Sequence, residues 1–365
     1  MKHRVALGAL GLLTCVLVFA ACSEDESIPD VRQAIVDSMS QTIILPGFQE
    51  LADSSAALAA TSMNACPVID SSTLDAMRSG WNEARGAWKR LEPFYFGPHR
   101  SPPLRVGQTL DFVPIRAARI EEFISGDSMI SGDALKMQGG LVRGFPVLEY
   151  LLYAGEPDAL TALAQDERRC ALAVAVAVDL AYLTGALNSA WSASDGGFIT
   201  ELTNPNTGEF MNSKGALGEI VNRMGYSIEN IRRDRLGAPL GDKSGGSIQP
   251  DSVESRFSGR SVQDILDVLT ILDTLMHGHE SADAMGLVDH PSLRSRQDII
   301  TRFDEEMRSS RAALAAIPMP LRDSLDDPTL ARAAFDALLG VQRSIQGDIL
   351  NILDLSQTFN DADGD

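Results

Sequence analysis

Glu149 is the residue in this chain most in need of a chemical explanation. It sits in the stretch RGFPVLEYLLY, Arg143 to Tyr153, where Phe145, Leu148 and Leu152 recur at i, i+3 and i+7 and Leu151 joins them. That is the spacing of a helical core face. A carboxylate inside such a face is costly unless it is paired or bound to a cation. The alternative is a place on the helix edge, where it reaches water.

Other groups carry weaker signals. His277 and His279 stand about 200° apart on a helix, so they chelate together, with Glu280, only if Gly278 breaks it. Otherwise they form an exposed helix end, where a protonated histidine suits the dipole. His99 lies in a proline-rich loop and His290 precedes Pro291. Asp361 to Asp365, DADGD, has the look of a calcium loop without its closing glutamate, and reads equally as a solvated tail. Ser261 with Asp264 three residues on approximates a capping box, so capping is the role expected of Ser261. Glu254 lies in a turn near Arg256, and Arg235 ends a helix, where a basic residue is favourable on structural grounds alone. No Ser-His-Asp, Cys-His, phosphate-loop or dinucleotide pattern stands out. No metal site is assigned.

The elements that must position these groups are helices. The 365 residues are 44% hydrophobic and only 6% aromatic, with alanine and leucine prominent, which suits helices better than strands. Helices are expected at about 28–63 (interrupted at Pro46-Gly47), 71–91, from near Gly132 through the Glu149 stretch to Tyr153, and 166–191. After a Gly-, Asn- and Thr-rich loop four more follow, near 213–235, 261–281, 291–316 and 328–356. Trp81 and Trp88 share one face. The apolar run from Cys170 to Leu187 carries Asp179 and reads as a buried bundle helix. The fold class is all-α: two up-down bundles, 28–200 and 201–365, pseudo-repeated and joined by long irregular loops.

Residues 1–21 read as a signal peptide, with Lys2 and Arg4 before an apolar run from Val5 to Phe19. Ala20-Ala21-Cys22 resembles a lipoprotein cleavage site, making Cys22 the lipidated residue and 22–27 an acidic, Ser-rich tether. Net charge is −19, or −21 once Lys2 and Arg4 leave with the signal. Such a surface repels phosphate backbones, which excludes nucleic acid as a partner class. Cys66 and Cys170 remain in an exported chain and fall at the same end of a bundle, so a disulfide is favoured over two buried thiols.

Four stretches carry a family resemblance. GFPVLE, Gly144 to Glu149, resembles the GxHxxE signature of the imelysin family, named for an insulin-cleaving membrane protease. RLGAPLG at Arg235 to Gly241, ESRFS at Glu254 to Ser258 followed by Ser261, and TFNDADGD at Thr358 to Asp365 resemble family stretches in the same order. The family histidine falls on Pro146, which has no lone pair to give a metal.

The resemblance implies a bacterial cell-envelope lipoprotein, anchored by lipid in the outer membrane. It also implies a pocket between the bundles in which Glu149 faces Arg235, Glu254 and Ser258. Two functions follow from it: a protein binding a small ligand in iron or haem acquisition, and a zinc-dependent peptidase. The cofactor stays unknown: the resemblance admits iron or zinc, and no intact motif supports either. Pro146 counts against the peptidase and weakens a direct iron site. A lipid-anchored scaffold docking an envelope protein is the third class.

Overall fold

The computed structural model describes residues 31–66, 68–194, 197–206, 208–279 and 283–358. Cys22 and the signal segment, Glu280 and the 361–365 stretch lie outside them. From Val31 onward the chain is one compact unit, and its described regular elements are all helical.

The main helices are α1 (Val31–Met39), α2 (Leu45–Met63), α3 (Ser71–Arg90), α4 (Phe145–Tyr153), α5 (Glu167–Trp191), α6 (Ser213–Asn230), α7 (Ser261–His277), α8 (Gln297–Ala315) and α9 (Thr329–Arg343). Helix α2 packs between α5 and α3, with α4 against both α3 and α5. In the second group α8 packs on α9 and α7, and α6 packs on α9. The halves meet along a seam where α7 lies on α3 and α6 on α1.

Short polar side chains start three of these helices. Asp70 accepts from Thr73 N, Asp166 from Arg168 N and Arg169 N, and Asn212 from Gly215 N, so each satisfies an otherwise unpaired first-turn donor. Gly278, at φ 81°, ends α7.

Two departures from the expected helices have a common cause in proline. The break expected at Pro46-Gly47 is a π turn, Ser40–Ile44, that joins α1 to α2 as one rod. A second π segment, Ile231–Gly237, extends α6 and stops just before Pro239. Proline has no N–H to give and its ring clashes with the carbonyl four residues back; a widened turn relieves both problems.

The long helix expected from Gly132 to Tyr153 is not continuous. Gly132–Lys136 is one short helix, Gly140–Val142 a 3₁₀ turn, and α4 starts only at Phe145. Gly144 has φ 90°, and a Cβ there would lie 2.3 Å from the Thr109 carbonyl oxygen. Only glycine lets the backbone pass this close to the 107–110 turn. Pro146 then falls in the first turn of α4, where its missing N–H costs nothing.

Polar anchors hold α4 in place. Trp81 Nε1 donates to the Phe145 carbonyl at 3.0 Å. Just before α4, Arg143 makes a two-pronged contact with Asp179 of α5, Nε at 2.8 Å and Nη2 at 2.7 Å. Asp179, the one charge in the apolar run, is thereby matched in the core. Cys66, after α2, and Cys170, in the first turn of α5, are joined with their Cα atoms 6.0 Å apart.

Arg143→Met strands the Asp179 carboxylate and is expected to lower unfolding stability by about 3–5 kcal/mol in urea titration. Replacing both, Arg143→Met with Asp179→Leu, should recover most of that loss. An unchanged midpoint in the single variant would mean that the pair does not anchor α4.

Candidate functional site

At the seam, a chain of buried charges joins the two helical groups. Arg85 of α3 is 1% exposed and reaches three carboxylates: Asp111 Oδ1 at 2.6 Å, Glu254 Oε1 at 2.8 Å and Asp264 Oδ2 at 3.2 Å. Lys89, one turn on, contacts Asp111 Oδ2 at 3.0 Å and Glu254 Oε1 at 2.5 Å. Trp88 Nε1 also donates to Asp111 Oδ2, at 2.9 Å. Arg260 pairs with Asp264 and, at 2.8 Å, with Asp267. Arg235 lies with its Nε 2.8 Å from Glu254 Oε2 and pairs with Glu92 as well.

Burial opposes the charges of Asp111, Asp264, Arg85 and Arg235, and their neighbours decide the outcome. For Asp111 burial alone would raise the pKa, but Arg85 and Lys89 outweigh it and hold the group well below the usual carboxylate range. Asp264 is lowered in the same way, burial being overcome by Arg85, Lys89 and Arg260. Burial also disfavours the Arg85 and Arg235 cations, yet the surrounding carboxylates raise both.

Glu149 is different. It is 3% exposed and its Oε1 accepts three hydrogen bonds from one turn: Ser258 N at 2.8 Å, Ser258 Oγ at 2.8 Å and Phe257 N at 3.1 Å. Burial is the largest influence and pushes its pKa up to about 7, although the Ser258 donors pull the other way. Of the two explanations open from the sequence, the water-reaching helix edge is therefore excluded. Glu149 is a core carboxylate that fastens the 254–260 turn of the second half to α4 of the first.

Beside these groups opens a cleft of about 850 Å³ with walls from both halves. Glu149, Arg235 and Glu254 line it, and Ser258 sits directly behind, bonded to Glu149. Glu92 Oε1, Arg235 Nη1 and Glu254 Oε2 are buried here without a hydrogen bond of acceptable geometry. Glu254 Oε2 is close to Arg235 Nε but poorly aligned with it, so that contact counts as charge pairing only.

Four of the residues singled out from the sequence fall into two pairs. Glu149 and Ser258 bond directly, Arg235 and Glu254 pair directly, and all four lie around one cleft. Arg235 lies, as expected, in the last turn of a helical segment, the π stretch that extends α6, and its side chain pairs with Glu254. Ser261 does not cap α7, because Arg260 occupies that position and the Ser261 hydroxyl donates to the Glu254 carbonyl. Asp264, expected as the capping-box partner, is spent on Arg85, Arg260 and the Ser255 hydroxyl at 2.6 Å. His277 pairs with Asp304 at 2.8 Å, away from the cleft.

Arg85, Lys89 and Asp111 were missed. A signal existed for the first two: they lie four and eight residues after Trp81, on the apolar face that carries both tryptophans.

The donor set does not suit a zinc or iron centre at the signature. Pro146 offers no lone pair, Glu149 Oε1 is already taken by three donors, and no cluster of three His, Cys, Asp or Glu suited to a metal occurs among the described residues.

Comparisons with known proteins agree on one group. The family model described as Imelysin matches residues 44–345. "Iron-regulated protein A" of Synechococcus elongatus is 23% identical over 360 residues, covering 96% of this chain and 94% of that protein. Two solved structures share the fold at 18% identity. An imelysin-like protein from Psychrobacter arcticum has a TM-score of 0.73, with 90% of this chain and 97% of that one covered. A protein described as an iron-regulated protein A precursor, from Parabacteroides distasonis, has a TM-score of 0.76, with 91% and 97% covered.

The raised pKa of Glu149 has a stability consequence with a definite sign. The folded protein holds this proton up to about pH 7, whereas an unfolded glutamate releases it near 4.5. Stability from this group is therefore fully present below about pH 4.5 and is lost as pH rises through 7. Glu149→Gln keeps an oxygen for the three donors and cannot ionise. Wild type is expected to lose up to roughly 3 kcal/mol against the variant across this window. Parallel pH–stability curves for the two proteins would refute the assignment.

Proposed function

The chain belongs to the imelysin family, and from that premise we propose that it is a lipid-anchored cell-envelope protein that binds a small ligand in the cleft between its halves, in the service of iron acquisition, and catalyses no reaction. The observation that carries the reading is the cleft itself. Its walls come from both halves, and the charge network beside it is fixed before any ligand arrives, which lowers the ordering cost of binding.

The iron link rests on relatives from Synechococcus elongatus and Parabacteroides distasonis that carry iron regulation in their names. The anchor rests on Cys22 after a basic and then apolar leader. A binding rather than a peptidase role rests on Pro146 and Glu149. The residue in the histidine position cannot hold a metal. The glutamate that would share that metal instead holds a turn.

The test is equilibrium dialysis of the full chain against radioactive iron, offered as the free ion and in anionic, neutral and cationic chelates. Near-stoichiometric retention of a chelate, with a rise in melting temperature, is expected. If nothing is retained and the protein cleaves unfolded polypeptide in a chelator-sensitive way, the peptidase reading replaces this one. Separately, Cys22→Ser should move the protein from the membrane fraction to the soluble one.

A further inference from the structure

The chain as a whole carries 50 acidic and 31 basic residues, yet the cleft reverses that balance. Its lining includes eight Lys or Arg side chains and five Asp or Glu. The excess is concentrated at one end, where a recess of about 280 Å³ continues the main cleft and shares Tyr95, His99, Arg100, Arg105 and Arg223 with it. Building on the ligand-binding reading, we propose that this recess is an anion subsite and that the ligand is a small multivalent oxyanion bearing carboxylate or phosphate groups.

Three arginines from two parts of the chain converge here. Arg100 and Arg105 come from the proline-rich loop, Arg223 from α6, and all three act electrostatically on the Tyr95 hydroxyl. Tyr95 lies across Gly107, where a Cβ would meet its hydroxyl oxygen at 2.3 Å, so the glycine makes room for the ring at the mouth of the recess. Behind them His99 is 1% exposed, packed among Phe48, Trp88, Tyr95 and Trp191, and its Nδ1 has no hydrogen-bond partner. Burial keeps this imidazole neutral, with its pKa pushed down to about 3, so the site offers a neutral ring beside guanidinium groups.

One carboxylate, Glu209, stands in the lining. Burial, with Glu219 and Glu201 nearby, raises its pKa, and Arg223 and Arg100 act against that rise. Planar guanidinium forks match carboxylate and phosphate oxygens two at a time, which favours oxyanions over halides. With cations on more than one wall, a ligand with several anionic groups gains more than one with a single group.

The test uses the full chain and the double variant Arg100→Gln with Arg105→Gln, checked by circular dichroism for unchanged fold. Arg302→Gln, a remote exposed arginine paired with Asp348, serves as control. The ligands are citrate and pyrophosphate, each free and with ferric iron, and the neutral ferric hydroxamate ferrichrome. Binding of at least one anion is expected, falling as salt rises and weakened about tenfold or more in the double variant but not in the control. Which of citrate and pyrophosphate binds tells a carboxylate ligand from a phosphate one.

Retention of ferrichrome with neither anion bound would overturn the anion subsite and leave cleft binding standing, as would equal affinity of wild type and double variant for the anions. Retention of nothing would overturn both.

Discussion

Arg85 is the contact on which the rest of the seam depends. A guanidinium removed from water and surrounded by Asp111, Glu254 and Asp264 is tolerable only in one geometry. A slide of α7 along α3 by one turn would leave several charges buried and unmatched. Hydrophobic packing alone would permit small slips, because apolar contact is non-directional. The network removes that freedom, and with it most of the uncertainty in the shape of the cleft alongside. Replacing it by apolar groups would often stabilise a fold. Its presence is better understood as fixing one register of the two halves than as adding stability.

Glu149 and Pro146 have to be understood together. The glycine, the glutamate and the aromatic flank of the signature are present, and each has a clear mechanical job. Gly144 allows a close backbone crossing, the helix begins one residue later, and the glutamate ties a turn from the other half to α4. None of these jobs requires a histidine. Much of the signature can therefore be explained as architecture at the seam, which is why its presence is weak evidence for metal chemistry in this chain.

The all-α class and most of the long helices were legible because capping and apolar periodicity are local signals, although the stretch from Gly132 to Phe145 reads as one helix and is not. Asp166 and Asp70 cap helices where the pattern changes, and Asp179 pairs inside the core. What escaped was set by long-range partners. Glu254 and Asp264 look like a turn residue and a capping residue until α3 supplies Arg85 from about 170 residues away. The two π segments that precede Pro46 and Pro239 escaped for a related reason. A proline announces that a helix must yield, but whether it breaks, kinks or widens depends on what packs around it. Ser261 shows the cost of reading one spacing alone: its hydroxyl had a better acceptor in the Glu254 carbonyl.

An acidic protein with a basic cleft sets two electrostatic effects against each other. The net charge of −19 would slow the approach of an anion. Salt decides between them. At physiological ionic strength charges are screened beyond about 8 Å, so the outer carboxylates act weakly on a ligand already at the mouth. Inside, with low-dielectric walls and water partly excluded, the arginines act over short distances with little screening. The near field therefore wins for a ligand that has arrived, while the far field opposes a large polyanion more than a small one. A small, compact anion is the class that both fields together admit.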